Sequence, residues 1–236
     1  MDGMTVAALH KTDGGLASLV KSPVAAIIAV FVLMLLLCSL PLTVPIGPMY
    51  WDVYVYYDGA ARIFDGQVPI LDYFAPVGPL GYYLFAGWLW LFPHAQPSLI
   101  AHFALFALSA PLMAIIVGHA AGRARRDAFA VLVPFLLFSL LPFNGREFYP
   151  FPSSDAFGIY NRQICQMLYV LVAAFVLVRS QGLLAFLVTA VLAAMFFLKI
   201  TGYIAGGMIC FFASHSRHSA SSPWMSHPGA SARPCS

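Results

Sequence analysis

The sequence has few charged residues for its length. Of its 236 residues only 9% are Asp, Glu, Lys or Arg, whereas 61% are hydrophobic, and the mean hydropathy is +0.84. Soluble domains carry roughly 25% charged residues, and a chain with so little charge cannot cover a surface that faces water. The composition therefore excludes a soluble globular fold and predicts an all-α integral membrane protein.

Basic clusters and cysteine motifs are also missing. The net charge is only +3, and no basic stripe with interleaved aromatic residues occurs, which excludes a nucleic-acid-binding surface. The spacing of the cysteines predicts neither a disulfide framework nor a zinc site. No cofactor is established by these patterns, although a divalent cation stays possible, and we interpret most of the cysteines as packing residues. The four cysteines are Cys38, Cys165, Cys210 and Cys235.

Long apolar runs are what the sequence does contain. A membrane span needs about 20 apolar residues. We predict a polytopic helical bundle of five or six spans, at about 24–44, 98–118, 128–143, 163–178 and 182–198, with a partial span at 202–213. The first run is too long for a cleavable signal peptide, so we interpret it as an uncleaved first span.

The positive charges predict the orientation, because Lys and Arg accumulate on the cytoplasmic side of a membrane. If the apolar stretch 80–92 does not cross, eight basic residues lie inside and four outside, whereas a crossing gives five and seven. We therefore predict a cytoplasmic N-terminal segment (1–23) and outer loops at 45–97 and 144–162. The four outer basic residues are then Arg62, Arg146, Arg162 and Lys199.

The stretch 80–92 decides this topology. Six of its thirteen residues are aromatic, and aromatic side chains concentrate at the level of the lipid headgroups. Pro79 suits the first position of a helix. We predict a helix lying in the outer interface of the membrane, with a short true span as the alternative.

The first outer loop is long, and long loops are commonly functional. We predict a juxtamembrane helix over 53–64, with Asp58 and Arg62 as an i,i+4 pair and Gly66 as its stop. Asp52 precedes this helix. Two interpretations of Asp52 stay open, an N-cap for the helix and a general base at the membrane surface.

An ordered series of acidic, small, Gly, Pro and aromatic residues runs through this loop. It consists of Asp52, Tyr57, Ala60, Ala61, Gly66, Pro69, Asp72, Pro79, Leu80, Tyr82 and Tyr83. In order and spacing it resembles the first outer loop of the GT-C glycosyltransferases that use polyprenyl-phosphate sugars, most nearly the dolichyl-phosphate-mannose and aminoarabinose transferases. That family often carries two adjacent acidic residues where Asp52 is followed here by Val53.

The resemblance implies a membrane glycosyltransferase, or the N-terminal portion of one. Such an enzyme moves a sugar from a polyprenyl-phosphate donor to a hydroxyl of a lipid or glycan acceptor, here on the outer face of a bacterial inner membrane. Asp52 would be the catalytic base. The substrate-loop candidates are Tyr57, Asp58, Asp72, Tyr82 and Tyr83.

The resemblance also points to residues beyond the first loop. Asp155 is the second acidic candidate, which would orient the acceptor or hold a divalent cation with Asp52; the alternative is a turn residue. Lys199, Arg162 and Arg146 are candidates for the lipid phosphate, since Arg offers a planar fork to phosphate oxygens. The alternative for these three residues is snorkelling to the headgroups.

The composition changes after residue 213. Eight of the 23 residues in 214–236 are Ser, which predicts a disordered tail. Because members of the family continue through further spans, we expect that the reading frame was lost near Ser214 or that the chain is truncated, and the activity of such a chain alone stays open. Two other functions stay open: a transporter or flippase, favoured by Pro111 and Pro134 within spans, and a non-catalytic membrane scaffold.

Overall fold

A computed structural model describes residues 22–43, 50–141, 143–144, 153–154 and 158–220, and only the backbone of 143–144, 153–154 and 216–220. The described residues are predominantly helical, which confirms the all-α class. The helices are α1 (Pro23–Ser39), α2 (Trp51–Phe64), α3 (Pro79–Leu91), α4 (Pro97–Phe103), α5 (Phe106–Ala121), α6 (Arg125–Leu140), α7 (Ile159–Leu177), α8 (Gln181–Leu198) and α9 (Ile200–Ala220). Two-residue strands, β1 (Phe143–Asn144) and β2 (Ser153–Ser154), pair antiparallel between α6 and α7.

Three described helical segments are long and apolar enough to cross a membrane. They are α4 and α5 taken together (Pro97–Ala121), α7 and α8. Two shorter apolar helices accompany them, α1 and the part of α9 up to His215. The described part of the chain is therefore helical, and its three candidate spans indicate a membrane protein. The larger bundle of five or six spans stays a prediction.

The centre of the bundle is formed by α5, which packs against α1, α6 and α7. Its buried face is apolar except for Ser109. Gln166 of α7 donates from Nε2 to the Oγ atoms of Ser109 and of Ser139 in α6, at 2.9 Å each. A buried polar group is costly unless it is hydrogen-bonded, so this contact favours one register among the three helices.

The predicted first-loop helix is confirmed as α2, although it begins at Trp51 rather than at residue 53. It ends as expected, because Gly66 has a φ of +83°, a left-handed conformation that glycine adopts without a steric penalty. Arg62 Nε donates to Asp58 Oδ2 at 2.8 Å, which confirms the predicted i,i+4 pair. The helix thus follows from its local sequence.

Two tyrosines and two glycines interlock α2 with α3. The ring of Tyr82 in α3 covers Gly59 in α2, where a Cβ atom would overlap the ring. In the reverse direction, Tyr56 of α2 reaches Gly81 of α3, and a Cβ at Gly81 would lie 2.9 Å from the Tyr56 hydroxyl. The two helices pack closely because neither glycine carries a side chain.

Both flanks of α3 lie at the same end of the bundle. The Gly78 N–H donates to Leu198 O at the end of α8, at 2.8 Å. After α3 the chain reaches α4 within a few residues, and Gln163 near the start of α7 donates to Ala101 O in α4 at 3.5 Å. Helix α3 has 13 residues, and such a helix is about 20 Å long, shorter than a hydrocarbon core of about 30 Å. The placement of α3 in the outer interface stays a prediction, and so does its alternative as a short span.

The boundary predicted for the tail needs a correction. The last helix does not stop at residue 213 but continues to Ala220, so residues 214–220 are helical. The predicted boundary follows the end of the apolar residues, whereas backbone hydrogen bonds propagate through polar residues as well. Residues 1–21, 44–49, 142, 145–152, 155–157 and 221–236 lie outside the described residues, and with them Arg146 and Asp155.

Candidate functional site

A cavity of about 150 Å³ lies where α2, α3, α7 and the end of α8 meet. Among the site residues predicted from the sequence, the structure brings three into this cavity: Asp52, Tyr82 and Lys199. The remaining lining residues are Val55, Tyr56, Pro76, Val77 and Tyr160. A carboxylate, an ammonium group and three phenols thus line one small space.

Asp52 is buried, with 8% of its surface exposed. Its Oδ2 accepts hydrogen bonds from the backbone N–H groups of Gly158 at 2.5 Å and of Ile159 at 3.1 Å. These groups open α7, so Asp52 caps the start of a different helix. The predicted N-cap for α2 is wrong, because Asp52 lies within the first turn of α2 and Tyr50 precedes that helix without a side-chain cap. A carboxylate at a helix N-terminus is stabilised by the helix dipole.

Lys199 lies at the C-terminal end of α8, with extended backbone angles that end the helix. Its Nζ donates to Asn161 Oδ1 at 2.7 Å and sits 4.4 Å from the centre of the Tyr160 ring. Asp52 and Lys199 therefore both contact the beginning of α7. That segment sets the relative position of the two charged groups.

The cavity tyrosines Tyr56 and Tyr82 pack with their ring centres 5.3 Å apart. The Tyr56 hydroxyl donates to Gln163 Oε1 at 3.1 Å, whereas the buried Tyr82 hydroxyl has no hydrogen-bond partner among the described residues. Burial raises the pKa of Tyr56, and burial together with Tyr73 and Asp52 raises the pKa of Tyr82. Both phenols therefore stay protonated near neutral pH and act as neutral hydrogen-bonding groups.

A larger groove of about 630 Å³ adjoins the cavity. Its walls are mostly apolar, and Lys199, Pro76 and Val77 line both spaces. The other residues of the groove are Ile70, Phe74, Ala75, Gly78, Pro79, Phe196, Phe197, Ile200 and Thr201. Lys199 thus lies at the boundary between the groove and the cavity that contains Asp52.

The loop that forms one wall of the groove is held in a strained turn. Ile70 has a φ of +75°, which is unusual for a β-branched residue. Asp72 stabilises the turn, because its Oδ2 accepts from the Val68 N–H at 2.6 Å, while the Ile70 N–H donates to Tyr73 O at 3.1 Å. Asp72 is exposed and does not line the cavity, so its observed contact is with the loop itself.

Three other substrate-loop candidates lie outside the cavity. Tyr57 is half-buried and packs edge-on against Phe85, with ring centres 5.3 Å apart. Asp58 is exposed and pairs with Arg62. Tyr83 is exposed, since it follows Tyr82 on the helix and points to another face. These side chains belong to the same loop as Asp52, but they do not line the cavity that contains Asp52.

Arg162 points away from the cavity, to the end of α6. Its Nη2 donates to Leu141 O at 2.5 Å and also to Phe138 O. The guanidinium carbon lies 4.2 Å from the centre of the Phe138 ring. The observed role of Arg162 is to bind the terminal carbonyls of α6, where a helix has unsatisfied acceptors.

No metal centre is formed within the described part of the chain, where no group of three or more His, Cys, Asp or Glu side chains gathers. The divalent cation suggested by Asp52 and Asp155 has no described second ligand, because Asp155 lies outside the described residues.

Three residues of the site were not singled out by the sequence: Tyr56, Tyr160 and Asn161. Tyr56 follows Asp52 by four positions on a helix, and that spacing places both on one face, so a local signal existed. Asn161 and Tyr160 meet Lys199 only through the tertiary fold, with the Asn161 contact spanning 38 positions. Comparison with protein-family models, curated proteins and solved structures finds no match to this chain.

Proposed function

We propose that this chain is a membrane glycosyltransferase, or the N-terminal portion of one, that takes a sugar from a polyprenyl-phosphate donor. The observation that supports this proposal is the position of Lys199 between the apolar groove and the cavity that contains Asp52. A lipid-linked sugar has the same order of chemical groups, an apolar chain, an anionic phosphate and a polar sugar.

The groove suits the isoprenoid chain. Phe74, Phe196, Phe197 and Ile200 supply large apolar surfaces, and these four side chains are about half exposed or more. Apolar surface left in the open gains free energy when a lipid chain covers it, about 25 cal/mol for each Å² removed from water. The chain of the donor would therefore lie against this wall, with its head directed to Lys199.

The cavity suits the reacting groups. Asp52 would accept the proton of the acceptor hydroxyl, whose oxygen then attacks the anomeric carbon of the sugar. The bond between that carbon and the phosphate oxygen breaks, and the polyprenyl phosphate leaves with the bonding electrons. Lys199 would stabilise the negative charge on the leaving phosphate.

The proposal also includes the membrane topology of the chain and the class of its acceptor. The bundle would have five or six spans in a bacterial inner membrane, with the N-terminus in the cytoplasm and the Asp52 cavity at the outer face. The acceptor would be a lipid or a glycan. Asp155 and Arg146 keep their proposed roles toward acceptor and phosphate, whereas the contacts of Arg162 favour a structural role.

The test separates the two roles of Asp52. Asp52→Asn keeps a side-chain oxygen that can accept from Gly158 and Ile159, because Asn is also a good helix cap, but an amide cannot act as a base. We expect the variant to fold normally and to lose sugar transfer by about 100-fold or more. The measurement is transfer of labelled mannose or aminoarabinose from a polyprenyl phosphate in membranes that contain the protein.

Asp52→Ala is the matched control. It removes the cap as well as the base and should lower the stability by about 1 kcal/mol, together with the loss of transfer. Transfer at the wild-type rate by Asp52→Asn would contradict the base assignment. Wild-type protein that moves the labelled lipid across the membrane without transferring the sugar would favour the transporter or flippase instead.

A further inference from the structure

The hydroxyl of Tyr82 is the feature of the cavity that the fold itself does not explain. Only 1% of Tyr82 is exposed, and its hydroxyl has no hydrogen-bond partner among the described residues. Buried polar groups are nearly always hydrogen-bonded. A buried hydroxyl without a partner is therefore a reason to look for a ligand in the cavity that Tyr82 lines.

The packing of Tyr82 needs its ring and not its hydroxyl. The ring covers Gly59 and meets the rings of Tyr56 and Tyr73, with centres 5.3 Å and 6.5 Å away. A phenylalanine ring would fill the same space. By contrast, the neighbouring Tyr56 uses its hydroxyl within the fold, as a donor to Gln163.

The charge state of the Tyr82 hydroxyl limits which chemical groups of a ligand it can bind. Because the pKa of Tyr82 is raised by burial, the phenol is neutral near pH 7, and a phenol can donate one hydrogen bond and accept others. A neutral phenol that both donates and accepts is suited to hydrogen-bond a hydroxyl group of a ligand. The Lys199 ammonium on the same cavity is the better match for a phosphate.

We propose that Tyr82 is a sugar-binding residue, whose hydroxyl hydrogen-bonds a ring hydroxyl of the donor sugar and positions that sugar beside Asp52. This inference rests on the proposed function and adds to it the group that recognises the sugar. In this arrangement Lys199 binds the phosphate of the donor, and Tyr82 binds the sugar that is attached to that phosphate.

The test uses two tyrosine variants that differ in one respect. Tyr82→Phe removes a hydroxyl without a partner, so the unfolding temperature of the ligand-free protein should stay equal or rise. Tyr56→Phe is the matched control, since it leaves the buried Gln163 Oε1 without its donor and should lower the unfolding temperature. Both are measured on the whole chain in lipid nanodiscs.

Ligand binding is then measured with two probes, a polyprenyl phosphate that carries mannose or aminoarabinose and the same polyprenyl phosphate without sugar. We expect Tyr82→Phe to raise the Kd for the sugar-bearing probe by about fivefold, which is the effect of losing one neutral hydrogen bond. Its Kd for the sugar-free probe should equal that of the wild-type protein.

Unchanged Kd values for both probes in Tyr82→Phe would overturn this inference alone, because the lipid-phosphate site would still be present. An equal loss for both probes would also overturn it, since the hydroxyl would then act on the phosphate or on the fold. Wild-type protein that binds neither probe would overturn the proposed function, and this inference with it.

Discussion

Asp52 connects two parts of the chain that lie 106 positions apart, through its hydrogen bond to Gly158. One carboxylate therefore caps α7 and lines the cavity at the same time. This double placement has a consequence for the whole site, because Lys199 binds Asn161 on the same first turn of α7. A change at Asp52 that removes its acceptor oxygens would also move the partner of Lys199.

Arg162 gives a second test at the residue scale. Arg162→Lys keeps the positive charge, but an ammonium group lacks the planar fork that reaches the carbonyls of Phe138 and Leu141. We expect the variant to lose about 1–2 kcal/mol of stability and to bind sugar-free polyprenyl phosphate like the wild-type protein. Thermal unfolding and the Kd for that lipid check the two expectations.

The opposite pattern, with normal stability and weakened lipid binding, would return Arg162 to the phosphate-binding role that the sequence suggested. The guanidinium of Arg162 also lies over the Phe138 ring. The loss of stability in Arg162→Lys therefore measures the combined contribution of these contacts to the end of α6.

At the scale of elements, the site depends on how α3 meets the end of α8. Gly78 donates to Leu198 O at 2.8 Å, and a Cβ at this position would overlap the Phe197 carbonyl. Gly78 is thus needed for close approach, since its own φ of −64° is open to any residue. The contact brings the loop before α3 against Lys199 and completes the groove.

Gly78→Ala should therefore destabilise the protein, by about 1–3 kcal/mol as expected for an overpacked contact, and should weaken lipid binding by separating the walls of the groove. Gly87→Ala is the control on the same helix, because a Cβ there meets nothing within 4 Å. Alanine is favoured over glycine inside helices, so this variant should be neutral or slightly more stable. Equal effects of both variants on the unfolding temperature would contradict the close approach.

In the molecule as a whole, the described helices form a bundle with two distinct ends. Asp52, Lys199 and both flanks of α3 lie at one end, as the contacts of Gly78 and Asn161 show. At the other end, Arg123 donates to Leu177 O at the close of α7, at 3.2 Å. Charge counting predicts that the first end faces outward and the second faces the cytoplasm.

Cysteine labelling tests this orientation. In a variant without the four native cysteines, Asp65→Cys and Arg126→Cys place thiols at two exposed positions, in the first loop and at the start of α6. In intact cells a membrane-impermeant reagent should label the first position, and it should label the second only after permeabilisation. Reversed labelling would contradict the orientation, and labelling of both in intact cells would contradict the predicted topology.

Features that depend on local spacing and composition could be predicted from the sequence. Apolar runs predicted a helical membrane protein, and the pattern around Asp58, Arg62 and Gly66 predicted α2 with its ion pair and its end. Pro79 likewise marked the first residue of α3. Such features depend on residues a few positions apart, so their physical causes are visible in the sequence.

The folded structure was needed to identify which of the predicted residues share a site. Asp52, Tyr82 and Lys199 line one cavity, whereas Asp58, Tyr83 and Arg162, which were also predicted as site residues, do not. It also decided that Asp52 caps α7 and not α2. These outcomes depend on contacts between helices far apart in the chain, and the spacing of residues within one loop carries no information about such contacts.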